Sequence, residues 1–183
     1  YLRNLFLQKK NNHLDKIINH FTYVLASDGD LQEPVTLGSA SLAGHLGLSK
    51  LIVFYDANSA QISGKTSRSD STDYVKVFDG FNWYVQVIDG HDHDSLNDAI
   101  RKAKESDKPS LIVGNTIMAK GTATMEGDHN THGAPLPEEE IIATKMKLGL
   151  PPDEFYFPRE VQKHFQKHFN IMKEKANEWD LNK

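Results

Sequence analysis

The chain contains no cysteine. That absence excludes a disulfide framework and any thiolate metal site, and it is compatible with a reducing cytoplasm, the compartment expected here. No apolar run approaches the ~18 residues that a membrane helix needs, and the N-terminus lacks a signal-peptide pattern, so no membrane partner is expected. Basic charge is also scarce, with 21 Lys and Arg against 25 Asp and Glu and a net charge of −4. No strongly basic field is therefore available to collect phosphates along a nucleic acid. What remains is a globular composition over 183 residues, enough for one domain with a core, or a domain and an appendage. The first residue is Tyr1 rather than Met, so the sequence is expected to be a piece of something longer.

Four short β-type runs recur: "TYVLA" (22–26), "KLIVFYD" (50–56), "WYVQVI" (83–88) and "SLIVGNT" (110–116). They are continuously apolar rather than alternating, the pattern of strands buried on both faces. Helical segments lie between them. In "DSLNDAIRKAKE" (94–105), Leu96, Ala99, Ile100 and Ala103 share one face, and Asp94 or Ser95 can cap it. "TLGSASLAGHLGL" (36–48) is rich in small residues, which suits close packing on a sheet. Strands alternating with helices predict an α/β fold: a parallel sheet with helices on both faces. The expected division is an α/β domain over 1–150 and a C-terminal extension over 151–183. The extension holds a helix with Val161, Phe165, Phe169 and Met172 along one stripe. The opening 20 residues read as helical. Residues 117–136 form a polar loop longer than most connections, which favours a functional role.

Ligands of parallel α/β sheets bind at the carboxyl ends of strands. Asp28-Gly29-Asp30 stands at one such end, and Asp56 and Asn58 at the next. If those strands are neighbours, Asp28 and Asn58 converge. A carboxylate with an amide oxygen suits Mg²⁺, which takes hard oxygen ligands and shares its shell with phosphates. Gly29 would let the backbone approach a phosphate. Two ordinary strand-end turns explain the same residues, because Asp, Asn and Gly are common there. "SAQISGKT" (59–66) is a rival phosphate loop, but Ser59 replaces the glycine that a Walker A turn requires. His164 and His168 have zinc-ligand spacing on a helix, yet flanking lysines and the missing glutamate point to a solvated face. "HDHD" (91–94) reads as a helix start without chemistry. His129 and His132, in the long loop, could donate a hydrogen bond to a diphosphate or shuttle a proton.

Taken in order and spacing, "SDGDLQEP", "SLAGHLGLSKLIVFYDANSAQISG", "DKPSLIVGNTIMAKGTA" and "THGAPL" closely resemble the diphosphate-binding domain of transketolase. The resemblance implies a thiamine diphosphate-binding fold, with Mg²⁺ held by Asp28, the Asn58 side-chain oxygen and the Ala60 carbonyl. It implies that the Gly29 amide packs against the diphosphate and that Ile62 lies under the thiazolium ring. His132 matches a histidine near the diphosphate and the reacting centre. Glu33 matches a glutamate at a subunit interface linking the two cofactor sites of a homodimer. The implied reaction moves a two-carbon ketol unit from a ketose phosphate to an aldose phosphate, in the pentose phosphate pathway. Three positions depart from the family: Ser27 replaces a glycine, Asp30 a neutral residue, and Gly38 a second interface glutamate. The family's upstream histidines and downstream pyrimidine-binding domain are expected outside these residues, so the chain alone is expected to be inactive. The alternatives are a cofactor-binding subunit of a split transketolase, or a related ketol-transferring enzyme such as dihydroxyacetone synthase or 1-deoxyxylulose-phosphate synthase.

Overall fold

The computed structural model describes residues 19–62 and 64–181. The helix expected over the first 20 residues falls almost wholly outside them. Strands β1 (Thr22–Ser27), β2 (Leu51–Ala57), β5 (Tyr84–Asp89) and β6 (Ser110–Asn115) form one parallel sheet in the order β1-β2-β6-β5. A small antiparallel hairpin, β3 (Ala60–Gln61) with β4 (Gly64–Lys65), follows β2. The helices are α1 (Asp28–Gln32), α2 (Pro34–His45), α3 (Tyr74–Gly80), α4 (His93–Glu105), α5 (Glu138–Lys147) and α6 (Arg159–Leu181).

Alternate residues of the central strands face opposite layers. Ile52 and Ile112 meet Ala99 and Ala103 of α4, with Phe54, Ile88 and Ile100 around them. On the other face, Val53 lies among Ala40 of α2, Phe78 of α3 and Trp83. There the Trp83 indole donates to the Ala40 carbonyl at 2.8 Å and stacks edge-on to Phe78 at 5.0 Å. Small residues let α2 lie close. A Cβ on Gly44 would stand 1.7 Å from the Phe81 carbonyl oxygen. Among the described residues, no helix is long and apolar enough to cross a membrane.

Burial on both faces holds for β6 but not for β1. Residues 110–114 are all buried, whereas Tyr23, Val24 and Leu25 are exposed, Leu25 at 83%. β1 is an edge strand, and an apolar run reads alike at an edge or in the middle. The chain divides into two compact units, His20–Thr144 and a second one that runs from Lys145 onward and includes Asn19. In the second, Lys145 Nζ donates to the Pro152 and Asp153 carbonyls, and α6 buries no residue, so its apolar stripe is open.

Candidate metal and diphosphate site

The acidic stretch after β1 is a helix start rather than an open turn. Ser27 sits at the cap of α1, and its backbone N–H and its hydroxyl both donate to Asp30 Oδ2, each at 2.8 Å. Those bonds, the backbone one first, hold the Asp30 carboxyl below its usual range. Asp30 is therefore committed to the cap. Asp28 is different. It is 3% exposed, and its Oδ1 accepts the Tyr55 hydroxyl at 2.8 Å, while its Oδ2 is buried without a partner. Burial, and then the bond to Asp28, push the Tyr55 hydroxyl well above its ordinary pKa, so it stays a neutral donor. A buried carboxylate oxygen with nothing against it is costly, and a cation or a hydrogen-bond donor would satisfy it.

Strand pairing brings the second ligand group alongside. Ser27 of β1 is in register with Asp56 of β2, and α1 packs against β2 and β3. Asn58 Oδ1 accepts the Ala60 N–H at 2.9 Å, and its Nδ2 donates to Asp56 Oδ2 at 3.1 Å. Ser59, between Asn58 and Ala60, has a φ of 58°, a left-handed conformation that bends the chain there. The space over Gly29 is open: an added Cβ would meet nothing within 4 Å. Ile62, next to the hairpin strands, is 83% exposed.

The hairpin also organises the long loop. A 3-10 turn at His129–Thr131 packs against β4, and Asp128 caps it by accepting the Asn130 N–H at 2.9 Å. His132 follows directly, half-buried, with Nδ1 buried and unpartnered. Further back, Glu140 of α5 accepts the Thr124 N–H at 2.8 Å and the Thr124 hydroxyl at 2.7 Å, and these bonds hold its carboxyl below the usual range. Five buried side-chain atoms lack a partner among the described residues: Asp28 Oδ2, Gln32 Nε2, Thr66 Oγ1, His132 Nδ1 and Ser110 Oγ. The first four lie on segments around the hairpin: on α1, just after β4, and after the turn on β4. Orphaned buried groups are rare in native proteins, and each is a position that a water, an ion or a ligand atom can fill. No group of three or more His, Asp or Glu side chains able to hold a metal occurs among the described residues. A cation there would need ligand oxygens from amide, carbonyl and phosphate groups as well, which suits Mg²⁺.

A cleft of about 510 Å³ opens beside these residues, lined by Asp30, Phe54, Asp56, Asn58, His91 and Thr116, among others. Four of the residues here are ones that motif reasoning passes over or leaves without a role. Tyr55 steadies Asp28, Thr116 donates a short hydrogen bond to Asp56, and His91 Nε2 accepts the Ile117 N–H at 2.8 Å. Asp56 was visible only as a strand-end acid. Glu33 is exposed at the junction of α1 and α2 and caps neither with its side chain. Gly38 is exposed on α2. The rival phosphate loop fails: β3 and β4 pair as the hairpin and a single 3-10 turn follows at Thr66–Arg68, leaving no helix directly after them to receive a phosphate. His164 and His168 are exposed on α6.

Comparison with known proteins agrees with the fold. The family model described as "Transketolase, thiamine diphosphate binding domain" matches residues 2–182. A transketolase of Sinorhizobium medicae is 42% identical over 165 residues, covering 90% of this chain and 24% of that protein. Transketolase 2 of Vibrio parahaemolyticus is 44% identical over 146 residues, covering 79% of this chain and 22% of its own length. The crystal structure of Campylobacter jejuni transketolase superposes with a TM-score of 0.91 at 33% identity, over 98% of this chain and 29% of that one. A Pichia stipitis transketolase in complex with sedoheptulose 7-phosphate gives 0.90 at 31% identity, over 98% and 27%. The chain thus spans about a quarter of the length of these relatives. The parallel sheet and these matches agree: the chain belongs to the transketolase family and carries its thiamine diphosphate-binding domain.

Proposed function

We propose that this chain provides the Mg²⁺ and diphosphate half of a transketolase cofactor site. The observation that carries this reading is the unpartnered, buried Asp28 Oδ2 on α1, which packs against the strand and hairpin on either side of Asn58. Asp28 Oδ2, Asn58 Oδ1 and the Ala60 carbonyl would hold Mg²⁺, with diphosphate oxygens completing the shell. Gly29 leaves room for the diphosphate, and exposed Ile62 offers an apolar seat for the thiazolium ring. When bound, thiamine diphosphate supplies the carbon nucleophile for transfer of a two-carbon ketol unit between sugar phosphates. The protein's part is to anchor that group, so that its reactive carbon is held in one place. His132 Nδ1 is free to hold or move a proton beside the diphosphate.

The same reading assigns ketose phosphate donors and aldose phosphate acceptors, a place in the pentose phosphate pathway and a cytoplasmic setting. It places Glu33 at the interface of a homodimer, exposed as such a residue must be in the single chain. Because the relatives are about four times as long, the transfer is assigned to the longer protein and not to these residues alone. Thermal unfolding tests the cofactor assignment. Thiamine diphosphate with Mg²⁺ should raise the Tm, while ATP with Mg²⁺ should leave it unmoved. A Tm raised by ATP and not by thiamine diphosphate would overturn the reading.

A further inference from the structure

We propose that Asp56 is a positioning residue that fixes which end of the Asn58 side-chain amide faces the metal, and that Thr116 in turn fixes Asp56. The inference rests on the reading of Asn58 as a magnesium ligand. A side-chain amide has nearly the same shape after a half-turn, but only its oxygen can bind a cation. Here the orientation is set twice. Nδ2 donates to Asp56 Oδ2 at 3.1 Å, and Oδ1 accepts the Ala60 N–H at 2.9 Å. A half-turn would set the amide oxygen against the Asp56 carboxylate, and the amide N–H against the Ala60 N–H. Both contacts would be repulsive.

Asp56 is itself held. The Thr116 hydroxyl donates a short hydrogen bond to Asp56 Oδ1. Thr116 is placed by its own backbone N–H, which donates to the Ala57 carbonyl at 3.3 Å, just past the β2–β6 pairing of Asp56 with Gly114. Both carboxylate oxygens of Asp56 are therefore engaged within the protein, whereas Asp28 keeps one unpartnered. The two acids at adjacent strand ends thus have different tasks: Asp28 is the ligand, and Asp56 is the support behind a ligand.

The test is calorimetric titration of Mg²⁺ into the protein at saturating thiamine diphosphate, for the wild type, Asp56→Ala, Asp56→Asn and Thr116→Val. Removing an outer-shell partner typically weakens metal binding about 10–100-fold, and that loss is expected for Asp56→Ala. Asp56→Asn keeps an acceptor for Asn58 Nδ2 and can donate to Thr116, so it should recover most of the loss. Thr116→Val preserves volume and should weaken Mg²⁺ toward the lower end of that range. It carries the test if Asp56→Ala does not fold. Unchanged affinity in Asp56→Ala or Thr116→Val would overturn the inference. So would an Asp56→Asn variant as weak as Asp56→Ala, because charge rather than orientation would then explain the loss. A wild type whose cofactor binding ignores Mg²⁺ would overturn the reading of Asn58 itself, which is a separate failure.

Discussion

Asp28→Asn separates a residue kept for folding from one kept for a ligand. Asparagine has nearly the same volume, and its Oδ1 can still accept the Tyr55 hydroxyl now found at 2.8 Å. Its Nδ2 would take the place of the buried, unpartnered Oδ2. An unsatisfied buried polar group costs about 1–3 kcal/mol, and a charged one more. Exchanging a buried anion for a neutral amide should therefore leave the metal-free protein as stable as before, or up to about 2 kcal/mol more stable. The ligand reverses the order. At a free ligand concentration of ~100 Kd, binding adds about 2.7 kcal/mol to the native state, and only the wild type would gain it. Urea denaturation of both proteins, first with EDTA and then with Mg²⁺ and thiamine diphosphate, reads both terms. The expected result is a crossover, with the variant ahead or level without ligand and behind with it. A variant several kcal/mol less stable in EDTA would refute the reasoning, because Asp28 would then be a structural acid satisfied by its surroundings.

Three further outcomes follow from the packing and the charges. Gly44→Ala would set a Cβ 1.7 Å from the Phe81 carbonyl oxygen, which is backbone and cannot swing aside. Overpacking costs about 1–3 kcal/mol, more than the ~1 kcal/mol that alanine gains over glycine in a helix. The displaced α2 would also stretch the Trp83–Ala40 bond, so chemical denaturation should show a net loss of about 2 kcal/mol. Ser59→Gly relieves a left-handed residue, worth about 1–2 kcal/mol, against about 0.4–1 kcal/mol for a looser unfolded chain. It should stabilise slightly, whereas Ser59→Val should destabilise and weaken Mg²⁺ binding. In acid, Asp30 and Asp70 set the sign. Their carboxyls lie below the usual range because Ser27 donates to Asp30, and Thr72 and Tyr74 donate to Asp70. A depressed folded-state pKa stabilises above the unfolded value near pH 4 and loses that contribution as pH falls through the folded value. Stability should hold from neutrality to about pH 4 and then decline. A rise below pH 4 would contradict this.

The strands were legible because β-branched and aromatic runs bounded by turn residues leave little else to form. That Asp28 and Asn58 follow neighbouring parallel strands was legible too, since such strands release their carboxyl ends on one side of the sheet. Other features depend on what a linear pattern cannot carry. Tyr55 reads as one more apolar residue in "KLIVFYD", and only the register of β1 on β2 brings its hydroxyl to Asp28. "HDHD" does start a helix, with Asp92 as the cap of α4. Yet His91 stays outside that helix and reaches the Ile117 N–H, 26 residues away. α3 is seven residues long and carries Val75 and Val77, so its composition looks more like strand than helix. The exposed edge of β1 could not be told from the buried centre of β6, because burial is set by neighbours and not by the run itself.

The most direct measurement is calorimetric titration of thiamine diphosphate into the protein, with and without Mg²⁺, for the wild type and Asp28→Ala. The expected result is binding that requires Mg²⁺ and disappears in the variant. Binding that proceeds equally well without Mg²⁺, or that survives Asp28→Ala, would contradict the assignment of the buried carboxylate oxygen as a metal ligand.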